Sequence, residues 1–316
     1  MNRREFLSIA SVVAVQPVAL CRASEARRPL TRALVLVDFN GGNDGLNTVI
    51  PIADPRYYAL RPTLAISRDH ALRIDERTGL HPSLRGLMSA WQAGECAIVQ
   101  GVGYARPNRS HYRAQQIWHT ASEADEYRRD AWLARVQAPQ TAMVHPASTP
   151  FDTRSFTASC EAAAHVIAAN RAQGGVALIR LTLDGFDTHQ HQAARHAALL
   201  AQFADGIALL RAALLATDDW RSTLVMTRSE FGRSARENDT RGTDHGAAAP
   251  QFMLGGAVRG GLFGEAPRLD ALDAEGGLTA AVDFRRLCAT ALDACWNANA
   301  ADVLGRPFAP LPVVRA

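Results

Sequence analysis

Residues 33–38, ALVLVD, form an unbroken apolar run that closes on a carboxylate. A strand apolar on both faces must be covered on both. Runs of this kind belong in parallel sheets with helices packed on either side. Residues 97–102, 176–183 and 223–227 repeat the pattern, and 251–254 is a candidate fifth strand. Helical patterns separate them, at 84–91, at the long Ala/Leu-rich stretch 193–215 and at 284–294. This alternation predicts an α/β fold with a mainly parallel central sheet flanked by helices. The chain has 316 residues, 47% of them apolar, which is ample for a core of its own. There is no internal repeat. The Pro-rich stretch 138–150 is the only candidate linker or excursion, so residues 27–316 are read as a single domain.

The first 26 residues stand apart. Arg3 and Arg4 are followed by Phe6 and Leu7, then by an apolar run over 9–20 that Gln16 and Pro17 interrupt. Small residues follow, with candidate cleavage after Ala23 or Ala26. Charge, apolar run and cleavage region in that order predict a twin-arginine signal over 1–26. The run is too short and too weak for a stable membrane span. The expected location is periplasmic or secreted, and the translocase is a partner during export. Bulky Leu20 before Cys21 argues against a lipid anchor.

Composition removes several chemistries. All 34 basic residues are Arg, so a Walker-type phosphate loop and a lysine Schiff base are excluded. The arginines are scattered among 31 acidic residues, with a net charge of +3, and predict no nucleic-acid surface. Five cysteines without a CxxC pair exclude zinc-ribbon and thioredoxin chemistry. Cys288 and Cys295 read as buried thiols, while a Cys96–Cys160 disulfide is permitted in an oxidising compartment.

Four polar clusters carry the candidate chemistry. Three of them directly follow predicted strands, where open α/β sheets bind their ligands. The first, DFNGGNDGLN over 38–47, offers Asp38 and Asp44 as hard oxygen donors; it is equally a tight turn requiring φ > 0. The second, NRSHYRAQ over 108–115, holds a hydroxyl (Ser110) and an imidazole (His111) between Arg109 and Arg113. The two arginines could clamp an anion, and Ser110 is either a nucleophile or a helix N-cap. In the third, DGFDTHQHQ over 184–192, Asp187 with His189 or His191 suits zinc or manganese. If the segment is helical, Asp187 and His191 share a face. The fourth joins SEFGRS over 229–234 to GTDHG over 242–246. Asp244 and His245 are candidate ligands, Glu230 a partner that orients a ligand histidine, and Arg233 a binder of the substrate anion.

GGNDGLN, RSHY-x-AQ, DTH-x-x-Q, SEFGR-x-x-x-EN and GTDHG occur here in the order seen in a large family of twin-arginine-exported bacterial proteins. By these motifs the chain resembles domain of unknown function 1501, which is grouped with the alkaline phosphatase and sulfatase superfamily. The resemblance implies an alkaline-phosphatase-like three-layer sandwich and hydrolysis of a phosphate or sulfate ester. It also implies one or two divalent metal ions (zinc, manganese or calcium). Ser110 would lie in the nucleophile's region, with His111 and Arg233 beside it. Asp44 would be the first-strand metal ligand, with Asp38 behind it. Asp187 with His189 or His191 would hold one ion, and Asp244 with His245 the other. Asn43, Asn47, Arg109 and Arg113 would contact a small anionic substrate. A catalytically inactive member of the same scaffold, binding an envelope partner, is the alternative.

Overall fold

Residues 33–40 are buried at all but the last position, and their side chains alternate between two apolar clusters. The computed structural model describes residues 31–136, 140–144, 156–172 and 175–315; the export segment 1–26, with Cys21, lies outside the described residues. The central sheet has eight strands: β1 (Ala33–Asn40), β2 (Cys96–Gly103), β3 (Gln140–Val144), β4 (Val176–Asp184), β5 (Thr223–Ser229), β6 (Ala249–Leu254), β7 (Gly261–Phe263) and β8 (Val282–Asp283). Their order is β7-β2-β6-β5-β1-β4-β3, with β8 also paired to β2. All pairings are parallel except those of β6, which runs antiparallel to both β2 and β5. The expected mainly parallel α/β sheet is thus present.

Among the described residues, four helices of ten residues or more cover it: α1 (His111–Thr120), α2 (Phe156–Asn170), α3 (Gln192–Ala216) and α4 (Arg285–Trp296). Val35, Val37 and Phe39 pack with Phe156, Cys160, Leu200 and Phe203, from α2 and α3. Leu34 and Leu36 join the second cluster, with Ile117 and Trp118 of α1 and Leu287 and Leu292 of α4. The result is a three-layer sandwich. The hydrophobic transfer of each fully buried Leu or Phe contributes roughly 1.5–3 kcal/mol. α3 is long and apolar enough to cross a membrane, but Leu200, Phe203, Ile207, Leu210 and Leu214 are fully buried against the sheet layer.

Several expectations are revised. Within the Pro-rich stretch 138–150, residues 140–144 form an edge strand, β3; the rest of the stretch lies outside the described residues. Residues 84–91 divide into a 3-10 turn, Pro82–Leu87, and a short helix, Met88–Gln92, because Leu84 leaves helical geometry. Cys96 and Cys160 are both free, as are Cys288 and Cys295, so the permitted disulfide is absent. All four thiols are buried, and burial pushes Cys96, Cys160 and Cys288 up to about 12.

Two histidines near the site are also held neutral. Burial lowers His81 and His196 from 6.5 to about 4, against the opposing pull of Asp44. Their rings meet edge to face at 5.8 Å, and His196 Nε2 donates to Asn43 Oδ1 at 2.9 Å. The unfolded chain takes up these protons near pH 6.5 and the folded one only near pH 4. This contribution is therefore complete above pH 6.5 and lost as pH falls toward 4. A loss on the order of 3 kcal/mol per histidine is expected across that window. Urea midpoints measured at pH 7 and pH ~4.5 check it, and equal midpoints would contradict it.

Candidate metal centre

β1 is flanked by β4 on one side and β5 on the other, so the chain segments leaving these three strands diverge around one crevice. β1 delivers Gly41 to Asn43, β4 delivers Asp187 to His191, and β5 delivers Glu230 to Arg233. His245 returns to the same place through an isolated bridge with Arg233, and His111 enters as the first residue of α1.

The two glycines are required by close approach. A Cβ at Gly41 (φ +115°) would lie 2.3 Å from the Asp187 backbone nitrogen; one at Gly42 (φ +82°) would lie 2.4 Å from the Phe231 ring. Gly41→Ala is expected to cost more than about 2 kcal/mol, from positive-φ strain and the displaced Asp187 segment. A thermal melt checks this, and a shift of under a degree would refute it.

Arg233, fully buried, ties the segments together. Its Nε donates to Gly42 O (2.9 Å), Nη1 to Thr243 O (2.9 Å), and Nη2 to Phe186 O (3.0 Å) and Asp187 Oδ1 (2.6 Å); Nη2 also donates to Gly41 O. The guanidinium expected to bind the substrate anion is instead committed to backbone carbonyls and Asp187.

Around Asp187 stand three imidazoles. His111, Asp187 and His245 each bring one ligand atom into a group whose members lie within 4.8 Å of one another. His111 Nε2 is 3.4 Å from Asp187 Oδ2, and His245 Nε2 is 3.2 Å from Oδ1. His189 Nε2 sits 3.0 Å from Asp187 Oδ1 and 2.9 Å from His245 Nε2. On each ring Nδ1 faces an acceptor: Glu230 Oε1 at 3.0 Å for His111, the Arg109 carbonyl at 2.8 Å for His245 and Asp244 Oδ1 at 3.2 Å for His189. These partners suit the Nδ1–H tautomer, in which the Nε2 lone pairs would point inward to a metal ion. In that tautomer the His189 and His245 lone pairs, 2.9 Å apart beside a carboxylate, would repel unless a cation lay between them; Arg233 Nη1 stands 3.5 Å from His189 Nε2. Tetrahedral zinc with bonds of about 2.0–2.1 Å separates its donors by roughly 3.3 Å, close to these spacings. The residues present therefore fit a metal ion.

The electrostatics agree. Burial opposes ionisation of Asp187, but the Arg233 hydrogen bond and charge, with the neighbouring His245 and His111 rings, outweigh it and hold the carboxyl at about 2. The Glu230 hydrogen bond raises His111, and burial lowers His245. Glu230 itself is buried; its Oε1 also accepts the Gly41 N–H at 2.8 Å.

The other expected site residues are placed elsewhere or spent otherwise. Asp44 is buried as the N-cap of Gly45–Thr48, ion-paired to Arg61 at 2.6 Å and bonded to Gln192. Its carboxylate is structural and not a first-strand ligand. Asn43 Oδ1 is taken by Thr48 and His196, and Asn47 by Tyr57, Arg61 and the Leu64 carbonyl; both are buried. Arg113 holds the Glu123, Ala124 and Glu126 carbonyls and Gln116, and Arg109 pairs with Asp273 and Glu275. The anion clamp expected of these two arginines is absent. Asp244 stands behind His189 instead of beside His245. Residues before Gln192 are not helical, so Asp187 and His191 share no helix face; His191 is the exposed, positive-φ N-cap of α3. Ser110 is the exposed N-cap of α1, without the expected side-chain cap bond. Asp38 does not back the metal cluster: it lies between Arg180 and Arg228 (2.6 Å), which outweigh the effect of burial and keep it ionised.

The fold is a three-layer α/β sandwich whose histidine–carboxylate cluster, beside the central strands, could hold a metal ion. The chain belongs to the family described as "Protein of unknown function (DUF1501)", which matches residues 104–296, more than half its length. No curated protein matches it. Among solved structures it is similar to the C-terminal periplasmic domain of EcEptC from Escherichia coli, in complex with Zn. That match has 12% identity, covers 77% of each chain and has a TM-score of 0.41. It is also similar to yidJ of Bacteroides fragilis, proposed to be a sulfatase, at 9% identity over 87% of this chain and 76% of that one, with a TM-score of 0.34.

Proposed function

We propose that the protein is a metal-dependent hydrolase of an anionic ester, phosphate or sulfate. It works in the periplasm or outside the cell after twin-arginine export. The observation that carries the reading is the convergence of three Nε2 atoms on Asp187, with every Nδ1 tied back. His111, His189, His245 and Asp187 would hold the ion. Three imidazoles and one carboxylate favour zinc over calcium, which takes oxygen ligands. Bound there, a divalent ion would supply Lewis acidity toward the ester oxygen. Glu230 and Asp244 orient the ligating rings, and Arg233 orients Asp187. Ser110 lacks a base: both ring nitrogens of His111 face carboxylates and His245 Nδ1 faces a carbonyl. Water therefore suits this site better as nucleophile. The unactivated Ser110 also favours a second reading, a scaffold that binds an envelope partner without turnover.

Plasma mass spectrometry of untagged mature protein distinguishes these readings. About one equivalent of metal is expected, lost in Asp187→Ala and His245→Ala. No metal after supplementation would sink the hydrolase reading. Bound metal without turnover of aryl phosphates or sulfates would favour the binding protein.

A further inference from the structure

The arginines expected to meet an anion are spent on protein groups, while two others are only partly so. Arg180 and Arg228 extend from β4 and β5 toward Asp38 on β1, and the three side chains line a cleft with Asn40, Gln115, Trp118, His119 and Glu230. Asp38 accepts Arg180 Nε on one oxygen, and Arg228 Nε and Nη2 on the other. The remaining guanidinium N–H groups have no acceptor among the described residues, and none of their nitrogens is sealed from solvent. Arg228 is nonetheless 92% buried as a side chain, being 8% exposed, and Arg180 is 38% exposed.

Two guanidiniums and two carboxylates, Asp38 and Glu230, line the cleft, so its formal charge balances, and the guanidinium N–H groups left without an acceptor are what favours an oxyanion there. The cleft has about 30 Å³ of space, room for two or three water-sized groups and so for the leading oxygens of a charged head group but not an extended ligand. Planar guanidinium forks are suited to paired oxygens. Asp38 fixes both forks before a ligand arrives, which removes their ordering cost from binding.

We propose that the Arg180–Arg228 pair forms an oxyanion subsite, taking a phosphate, sulfate or carboxylate group. It shares Glu230 with the metal centre, since this residue lines the cleft and also holds His111 Nδ1. A substrate's charged part anchored there would lie beside the metal cluster. That role rests on the hydrolase reading; the anion site itself does not.

The test is calorimetric titration of full-length mature protein with inorganic phosphate at low ionic strength, with metal content read on the same samples. One equivalent is expected to bind in the cleft. It should persist in His245→Ala and weaken at least tenfold in Arg180→Gln with metal content unchanged. Sulfate and acetate are expected to compete, because the donors recognise paired oxygens and not the central atom. If Arg180→Gln is not recovered folded, Arg180→Lys keeps the charge without the fork and should weaken binding at least threefold. Three results would overturn the subsite: no binding by the parent protein, unchanged affinity in the Arg180 variant, or loss of all binding in His245→Ala. The last would place the anion at the metal centre.

Discussion

Replacing Arg233 with methionine is expected to destabilise the protein by at least about 4 kcal/mol and to leave little of it soluble. Its guanidinium is the hydrogen-bond partner of the Gly41, Gly42, Phe186 and Thr243 carbonyls and of Asp187. Methionine fills a similar volume but donates nothing. Each buried acceptor left unsatisfied costs roughly 1–3 kcal/mol. Arg233→Lys should do little better, since a single ammonium cannot span acceptors on three chain segments. Urea midpoints measure the effect. A midpoint near the parent's would show that the loops hold their positions without the clamp, and would undo the account of how the site is assembled.

Asp44→Ala should separate stability from metal binding. Arg61 is fully buried, and its remaining partners are the Ala235 and Ser234 carbonyls and Asn47. Removing Asp44 leaves that charge without its counter-ion, at an expected cost of about 3–5 kcal/mol. The folded fraction should nevertheless keep its metal, because Asp44 is not among the converging donors. The double variant Asp44→Leu/Arg61→Met should recover much of the loss, since apolar replacement of a buried pair is often neutral. Loss of metal from folded Asp44→Ala would restore this residue to the ligand set.

The strands were legible because burial on both faces leaves continuous apolar runs, as in β1 and β4. The switch-point position of the polar clusters followed from the strands alone. α2 was not legible, although its buried residues Phe156, Cys160, Ala163, Ile167 and Asn170 keep a helical spacing. Its many alanines blur the contrast between faces that marks a helix. Spacing could not rank the acidic and basic residues either. Asp44 and Asp187 both follow strands and glycines, yet one is buried against Arg61 and the other faces three imidazoles. The arginines differ by what lies across from them in space, which for Arg233 includes carbonyls almost two hundred positions away. Arg180 was hidden because it interrupts an apolar strand, where a lone charge reads as an exposed edge. His111 pairs with residues more than seventy positions distant, so no local motif announces it as a ligand candidate.

The four sealed thiols make the folded domain indifferent to redox surroundings. With no cross-link among the described residues, its stability should be the same in reducing and oxidising media. Each sulfur is buried and held as the thiol, the unreactive protonation state. Such a chain can complete its fold where thiols stay reduced and be moved afterwards to a place where they would not, without catalysts of disulfide exchange at either end.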